Sequence, residues 1–246
     1  MKNIDEIERF LDSFRVSDEM TYPPNLKDLY SLYRCIRQYK VVAALEFGVG
    51  WSTLIIALAL AENEELFGAS FKKLVRHPNP FKVLSIDTSD YFINIARERV
   101  PKHLLPYTLF HQSESKMTIV AQQFAHTYSN VPPWTADLVY LDGPDCDFVN
   151  GDVDGFHVNF GDENKKYGLP MSGDLLRLEN FFWPATRIIT DGRGANAHFL
   201  QNNFTRNWEY EYHKEVDQHH FYLNENPWGD ISEKFVNFKE GRLKIE

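Results

Sequence analysis

Cysteine is nearly absent from the chain. Among 246 residues only Cys35 and Cys146 carry a thiol, too few for a disulfide framework or a cysteine-based zinc site. A reducing, cytoplasmic setting is the reading that follows. Long apolar runs are missing as well: no stretch approaches the roughly 20 residues that cross a bilayer, so no membrane partner is expected. Positive charge is scarce. Lys plus Arg number 26 against 35 Asp plus Glu, a formal net charge of −9. That balance is a poor match to a polyanion gripped by clustered cations, and nucleic acid is set aside. The opening Met1-Lys2-Asn3-Ile4-Asp5-Glu6 turns acidic at once and lacks the apolar centre of a secretory signal. Internal repeats and low-complexity tracts are also lacking. The length suits one α/β domain with a full core and a small-molecule partner; a homo-oligomer is left open.

What is present alternates. Ile4, Ile7, Phe10, Leu11 and Phe14 share one face of a short helix, which Tyr22-Pro23-Pro24 breaks. Residues 26–39 predict a second helix with Leu29, Leu32, Tyr33 and Ile36 on its apolar face. Strands are expected at 41–47, 82–87, 107–111, 136–142 and 187–191, each followed by a helical stretch, the first from Ser52 into the polar 62–65 segment and another around 117–126. Ser89 reads as the cap of the helix after the second strand. Residues 209–216 and 219–223 read as a closing antiparallel pair. Strands alternating with helices imply a parallel sheet covered on both faces. Residues 148–172 depart from the alternation, being rich in Gly, Asp and Asn without a clear period. They leave the C-terminal end of the fourth strand, where ligands bind in open α/β sheets, and read as a lid.

Chemistry is concentrated at the strand ends. In Glu46-Phe47-Gly48-Val49-Gly50-Trp51-Ser52-Thr53 a buried strand ends in an acid, turns on two glycines and enters an apolar helix capped by Ser52 and Thr53. Glycines let the backbone turn and approach a ligand, and the helix start offers free N–H groups to an anion. Asp87 ends the second strand; a carboxylate accepts two hydrogen bonds at once and suits a vicinal diol. Gln112-Ser113-Glu114 follow the third strand. Asp142-Gly143-Pro144 follow the fourth, and Asp191-Gly192-Arg193 the fifth. A dinucleotide loop is the rival for the first motif, but it wants a third glycine where Thr53 stands and an acid earlier than Asp87. Asn150 to Gly155 resemble the start of a calcium loop, yet Gly161 occupies the place of its glutamate. His157, His198, His219 and His220 are further candidates for a base, and Arg193 for an anion clamp. Cys146 lacks a partner that would activate it.

Glu-x-Gly-x-Gly-x-Ser-Thr at the first strand, Asp87 at the second and Asp142 at the fourth resemble class I S-adenosylmethionine-dependent methyltransferases, in the branch that modifies small molecules. The resemblance covers about residues 41–223. It implies a Rossmann-like fold with a mostly parallel seven-stranded sheet and a C-terminal antiparallel strand pair. Within 1–246 as one domain it implies N-terminal helices at 1–40, a core at 41–224, the lid at 148–172 and a tail at 225–246. It implies S-adenosylmethionine held by Glu46, Gly48, Gly50, Ser52, Thr53, Asp87 and Ser113. Asp142 would orient or deprotonate a small-molecule acceptor, most simply a hydroxyl, with Asp191 as its neighbour. The metal-dependent members hold Mg²⁺ with an Asp after strand four and an Asp-Asn pair after strand five; here Gly192 stands where the Asn should be, so Mg²⁺ is left open. An NAD-dependent oxidoreductase and a catalytically silent scaffold are the alternatives.

Overall fold

The computed structural model describes residues 1–14, 22–158 and 171–242. Helix α1 (Ile4–Asp12) opens on a capping box: Asn3 Oδ1 accepts from the Glu6 N–H, and the Glu6 carboxylate accepts from the Asn3 N–H. Helix α2 (Leu26–Gln38) is capped by Asn25, and buries Asp28, Leu29, Leu32, Tyr33, Cys35 and Ile36. There follow β1 (Ala43–Phe47), α3 (Trp51–Leu74), β2 (Lys82–Asp87), α4 (Asp90–Arg99) and β3 (Thr108–Gln112). Then come β4 (Ser115–Val120), β5 (Gln123–Tyr128), β6 (Leu138–Leu141), the short β7 (Val149–Asn150), α5 (Asp174–Leu178) and β8 (Arg187–Asp191). Helix α6 (Gly194–Asn203), β9 (Trp208–His213), β10 (Gln218–Leu223) and α7 (Asp230–Lys239) complete the order.

Seven strands make one sheet in the order β3-β2-β1-β6-β8-β10-β9. The first five run parallel, while β10 is antiparallel to both β8 and β9. The chain winds outward from β1 through β2 to β3, then returns to lay β6 on the other side of β1. This reversal opens a crevice between the tips of β1 and β6, the place where open α/β sheets bind ligands.

Side chains alternate across the sheet, as the period of a strand requires. Ala44, Val83, Leu138, Tyr140 and Ile189 face α1, α2 and the first half of α3. Leu45, Phe47, Leu84, Ile86, Val139, Leu141 and Ile188 face α5, α6 and the small sheet. Glu46 and Asp191 share the parity of the first set, which directs both toward the α2–α3 face.

Three expectations give way. The stretch around 117–126 is a hairpin, β4 with β5, not a helix. Its turn residues Ala121 and Gln122 both have positive φ, +50° and +61°, the geometry that matches strand twist. Beyond the strand pair, the tail contains α7, whose Phe235 and Phe238 pack on Phe71 of α3. Helix α3 accordingly runs on to Leu74, past the polar 62–65 segment where the sequence suggests its end. Of the expected lid, 159–170 lie outside the described residues. Its start is tied down, since β7 pairs in parallel with β4. Among the described residues no helix is long and apolar enough to cross a membrane.

Candidate active site

The glycine turn after β1 is built from two close contacts. Gly48 has φ +91°, and a β-carbon on it would lie 2.7 Å from the Gly143 nitrogen. The loops leaving β1 and β6 thus pack backbone on backbone. Beneath them Glu46, fully buried, accepts from Thr53 Oγ1 at 2.7 Å and from Ser85 Oγ at 2.5 Å, all on one oxygen. Thr53 Oγ1 in turn accepts the Gly50 N–H at 3.1 Å. Glu46 Oε1 has no partner, and burial pushes the carboxyl up to about 7. Glu46 and Thr53 therefore stand behind the wall of the site, where they brace the loop. Gly50 is different: a β-carbon there would meet nothing within 4 Å.

Over this turn lies a cavity of about 360 Å³. Gly48, Val49, Gly50, Trp51 and Ser52 form its centre, with Asp87, Thr88, Phe92 and Ile95 toward β2 and α4. The start of α3 presents its unpaired N–H groups here. Asp87 Oδ2 accepts the Val49 N–H at 3.0 Å, and Oδ1 accepts the Ser89 N–H at 2.9 Å. Burial raises its pKa against these bonds. Ser89 caps α4 as the sequence suggests. Arg99 lies over the Trp51 ring at 4.0 Å, and Phe148 meets Phe92 edge-on at 5.8 Å.

Carboxyl groups crowd the other end. Asp142, directly after β6, lines the cavity and is exposed to it. Desolvation holds its carboxyl well above the usual range; Arg193 opposes the rise, and Asp191 and Asp28 add to it. Asp191, at the tip of β8, faces Asp28 of α2. Asp28 is 3% exposed and takes hydrogen bonds from Gln218 Nε2 and, at 3.2 Å, from the Tyr140 hydroxyl. Burial first, then the Asp191 charge, push Asp28 up to about 7. Burial also raises Asp191, with its contacts to Asp28 and Tyr140 opposing the rise, so the two carboxyls titrate as a pair.

Asp28 has no place in the sequence-level site. It sits four residues before Leu32 and eight before Ile36, an acid inside an apolar stripe. That anomaly is the signal by which it could have been found. Among the described residues no three His, Cys, Asp or Glu side chains are grouped to hold a metal ion.

Other candidates lie elsewhere. Ser113 does not line the cavity; its Oγ accepts the Asn130 N–H at 2.9 Å and braces the loop after β3. Arg193 donates through Nη2 to the backbone carbonyls of Asp142 and Pro144 at 2.6 and 3.2 Å, while its buried Nη1 has no partner among the described residues. It ties the β8 loop to the β6 loop. His157 and His198 are exposed and off the cavity wall, and His219 and His220 lie on β10. Burial pushes the Cys35 thiol up to about 11 and also raises Cys146, so neither is an activated thiolate.

No protein-family model and no curated protein matches this chain. Solved structures do. A methyltransferase from Podospora anserina with S-adenosylhomocysteine bound superposes with a TM-score of 0.51 at 12% identity, over 91% of this chain and 88% of that one. An O-methyltransferase from Bacillus cereus, also with that ligand, gives 0.44 at 12% identity over 92% of each chain. The O-methyltransferase TomG from Streptomyces achromogenes, with S-adenosylmethionine, gives 0.46 at 11% identity, again over 92% of each chain. At these identities the likeness speaks to fold, and the Podospora superposition carries it. The chain has the Rossmann-like class I methyltransferase fold.

Proposed function

We propose that this protein transfers a methyl group from S-adenosylmethionine to a hydroxyl of a small molecule. One observation supports this above the others. Along the sheet order β2-β1-β6-β8, one cavity meets Asp87, Gly50, Asp142 and Asp191 in turn. Three strand spacings, roughly 14 Å, separate the first from the last. The residues fit the cofactor: Asp87 for the ribose diol, the open side of Gly50 and the N–H groups opening α3 for the amino-acid end. Bound there, S-adenosylmethionine supplies an electrophilic methyl. Gly48 and Gly143 hold the two loops together, and Asp142 orients the acceptor from beside the line of attack. Alignment of this kind accounts for much of the acceleration in a displacement reaction. The acid-lined cavity also suits a cationic sulfonium better than the phosphates of a dinucleotide, which places the NAD reading second.

Calorimetry with S-adenosylhomocysteine tests the reading. It should bind the parent, and Asp87→Ala should weaken it by about 1.5–3 kcal/mol, the worth of a charged hydrogen bond. At a ligand concentration about 100 times Kd the parent should gain roughly 2.7 kcal/mol of stability. No heat and no shift in Tm would sink the proposal.

A further inference from the structure

The proposed reaction needs a group to receive the acceptor's proton. Resting on that reading, we propose that Asp28 and Asp191 act as one carboxyl pair: Asp191 takes the acceptor's proton, Asp28 positions it, and the pair serves an uncharged or cationic acceptor. Asp191 lies at the tip of β8, on the cavity wall, and its register partner Gln218 of β10 donates to Asp28 from below. Tyr140 of β6 donates to the other Asp28 oxygen at 3.2 Å. Helix α2 thus delivers a carboxyl whose two oxygens are already engaged, leaving it to share a proton with Asp191.

The surroundings fix the sign of charge this end accepts. Asp142 faces the pair from the β6 loop and Asp217 acts on Asp191 from the start of β10. Arg193 is the opposing cation, and its Nη2 is committed to backbone carbonyls. Asp145 joins Asp28, Asp142 and Asp191 on the cavity wall, where among the described residues Arg99 is the lone cation. A phosphate or carboxylate near the pair would meet like charge in a partly desolvated space. In the reaction an acceptor O–H gives its proton to Asp191 as the oxygen–carbon bond forms. The sulfur–carbon bond breaks with its electron pair left on sulfur. The pair then returns one proton to solvent through the cavity.

Sinefungin, in which a primary amine replaces the methylsulfonium, places a cation where the transferred methyl would lie. Its affinity relative to S-adenosylhomocysteine reads the pair without knowledge of the acceptor. The sinefungin preference should grow as pH rises from about 5 to 8.5, because the pair goes from one negative charge toward two near pH 7. Asp191→Asn should cut the preference by on the order of tenfold and leave S-adenosylhomocysteine affinity unchanged. Asp28→Asn should flatten the pH dependence near neutrality. A preference that is flat with pH in the parent protein, or untouched in folded Asp191→Asn, overturns the pair alone. Failure of both ligands to bind the parent overturns the methyl-transfer reading and the pair with it.

Discussion

A β-carbon on Gly48 would collide with the backbone of Gly143, and φ at +91° is strained for any other residue. A β-carbon on Gly50 would enter open space at φ 174°, which any residue adopts. The two glycines look alike in the motif, yet one holds two loops together and the other keeps room for a ligand. Gly48→Ala should therefore lower stability by roughly 1–3 kcal/mol in urea unfolding. Gly50→Val should change it by less than about 1 kcal/mol while weakening S-adenosylhomocysteine tenfold or more by calorimetry. Equal affinity in the Gly50→Val protein would mean that the ligand does not pass this glycine. The motif was legible because glycine, acid and hydroxyl types at that spacing are rare together. Their division of labour was not, since Glu46, Thr53 and Ser113 turn inward to brace loops, and inward or outward is decided by neighbours distant in the chain. Asp28 escaped notice for the converse reason. Its partners Asp191, Tyr140 and Gln218 lie more than 100 residues away.

Strands β2 and β8 coincide with their sequence readings because both are short apolar runs ended by an acid, buried at their centres. The β4–β5 hairpin was hidden by its turn. Ala121 and Gln122 adopt positive φ without the Asn-Gly pair that announces such turns, and Met117 to Phe124 then pass for a helical face. Helix α7 was hidden by its short apolar content, and tertiary contacts hold it. Lys239 forms a buried ion pair with Asp137, whose Oδ1 and Oδ2 also accept the Val42 N–H. Asp137 stands just before β6 and Val42 just before β1, so the helix anchors the two central strands. Lys239→Ala should cost about 3 kcal/mol, because it leaves a buried carboxylate with backbone donors alone. Lys239→Ala with Asp137→Asn should recover part of that loss in a double-mutant cycle. A cost within about 0.5 kcal/mol would show that α7 contributes little to the sheet.

The alternation of elements dictated the sheet, and the sheet placed the cavity, so topology was the most legible level of all. What the whole molecule adds is a set of ionisable groups shut inside the protein, and these act on its stability in opposite directions. Burial pushes Asp28, Glu46 and Asp174 each up to about 7, above the ordinary 3.9–4.3 of unfolded Asp and Glu. The folded state then binds the extra protons. Their contribution is complete below the unfolded values and is lost as pH rises through about 7. His126, fully buried with Nε2 unpartnered, is pushed down to about 3. Its contribution is complete above the unfolded value of about 6.5 and is lost as pH falls. Between about pH 4.5 and 6.5 the two effects oppose one another. From about pH 6.5 to 8 the histidine gain fades and the carboxyl loss prevails, so stability should fall, each carboxyl contributing on the order of 1 kcal/mol. Urea midpoints of the ligand-free protein across that interval measure the fall, and Glu46→Gln should remove one carboxyl's share while keeping an acceptor for Thr53 and Ser85. An equal fall in parent and variant would mean that Glu46 ionises in the folded protein as readily as in the unfolded chain.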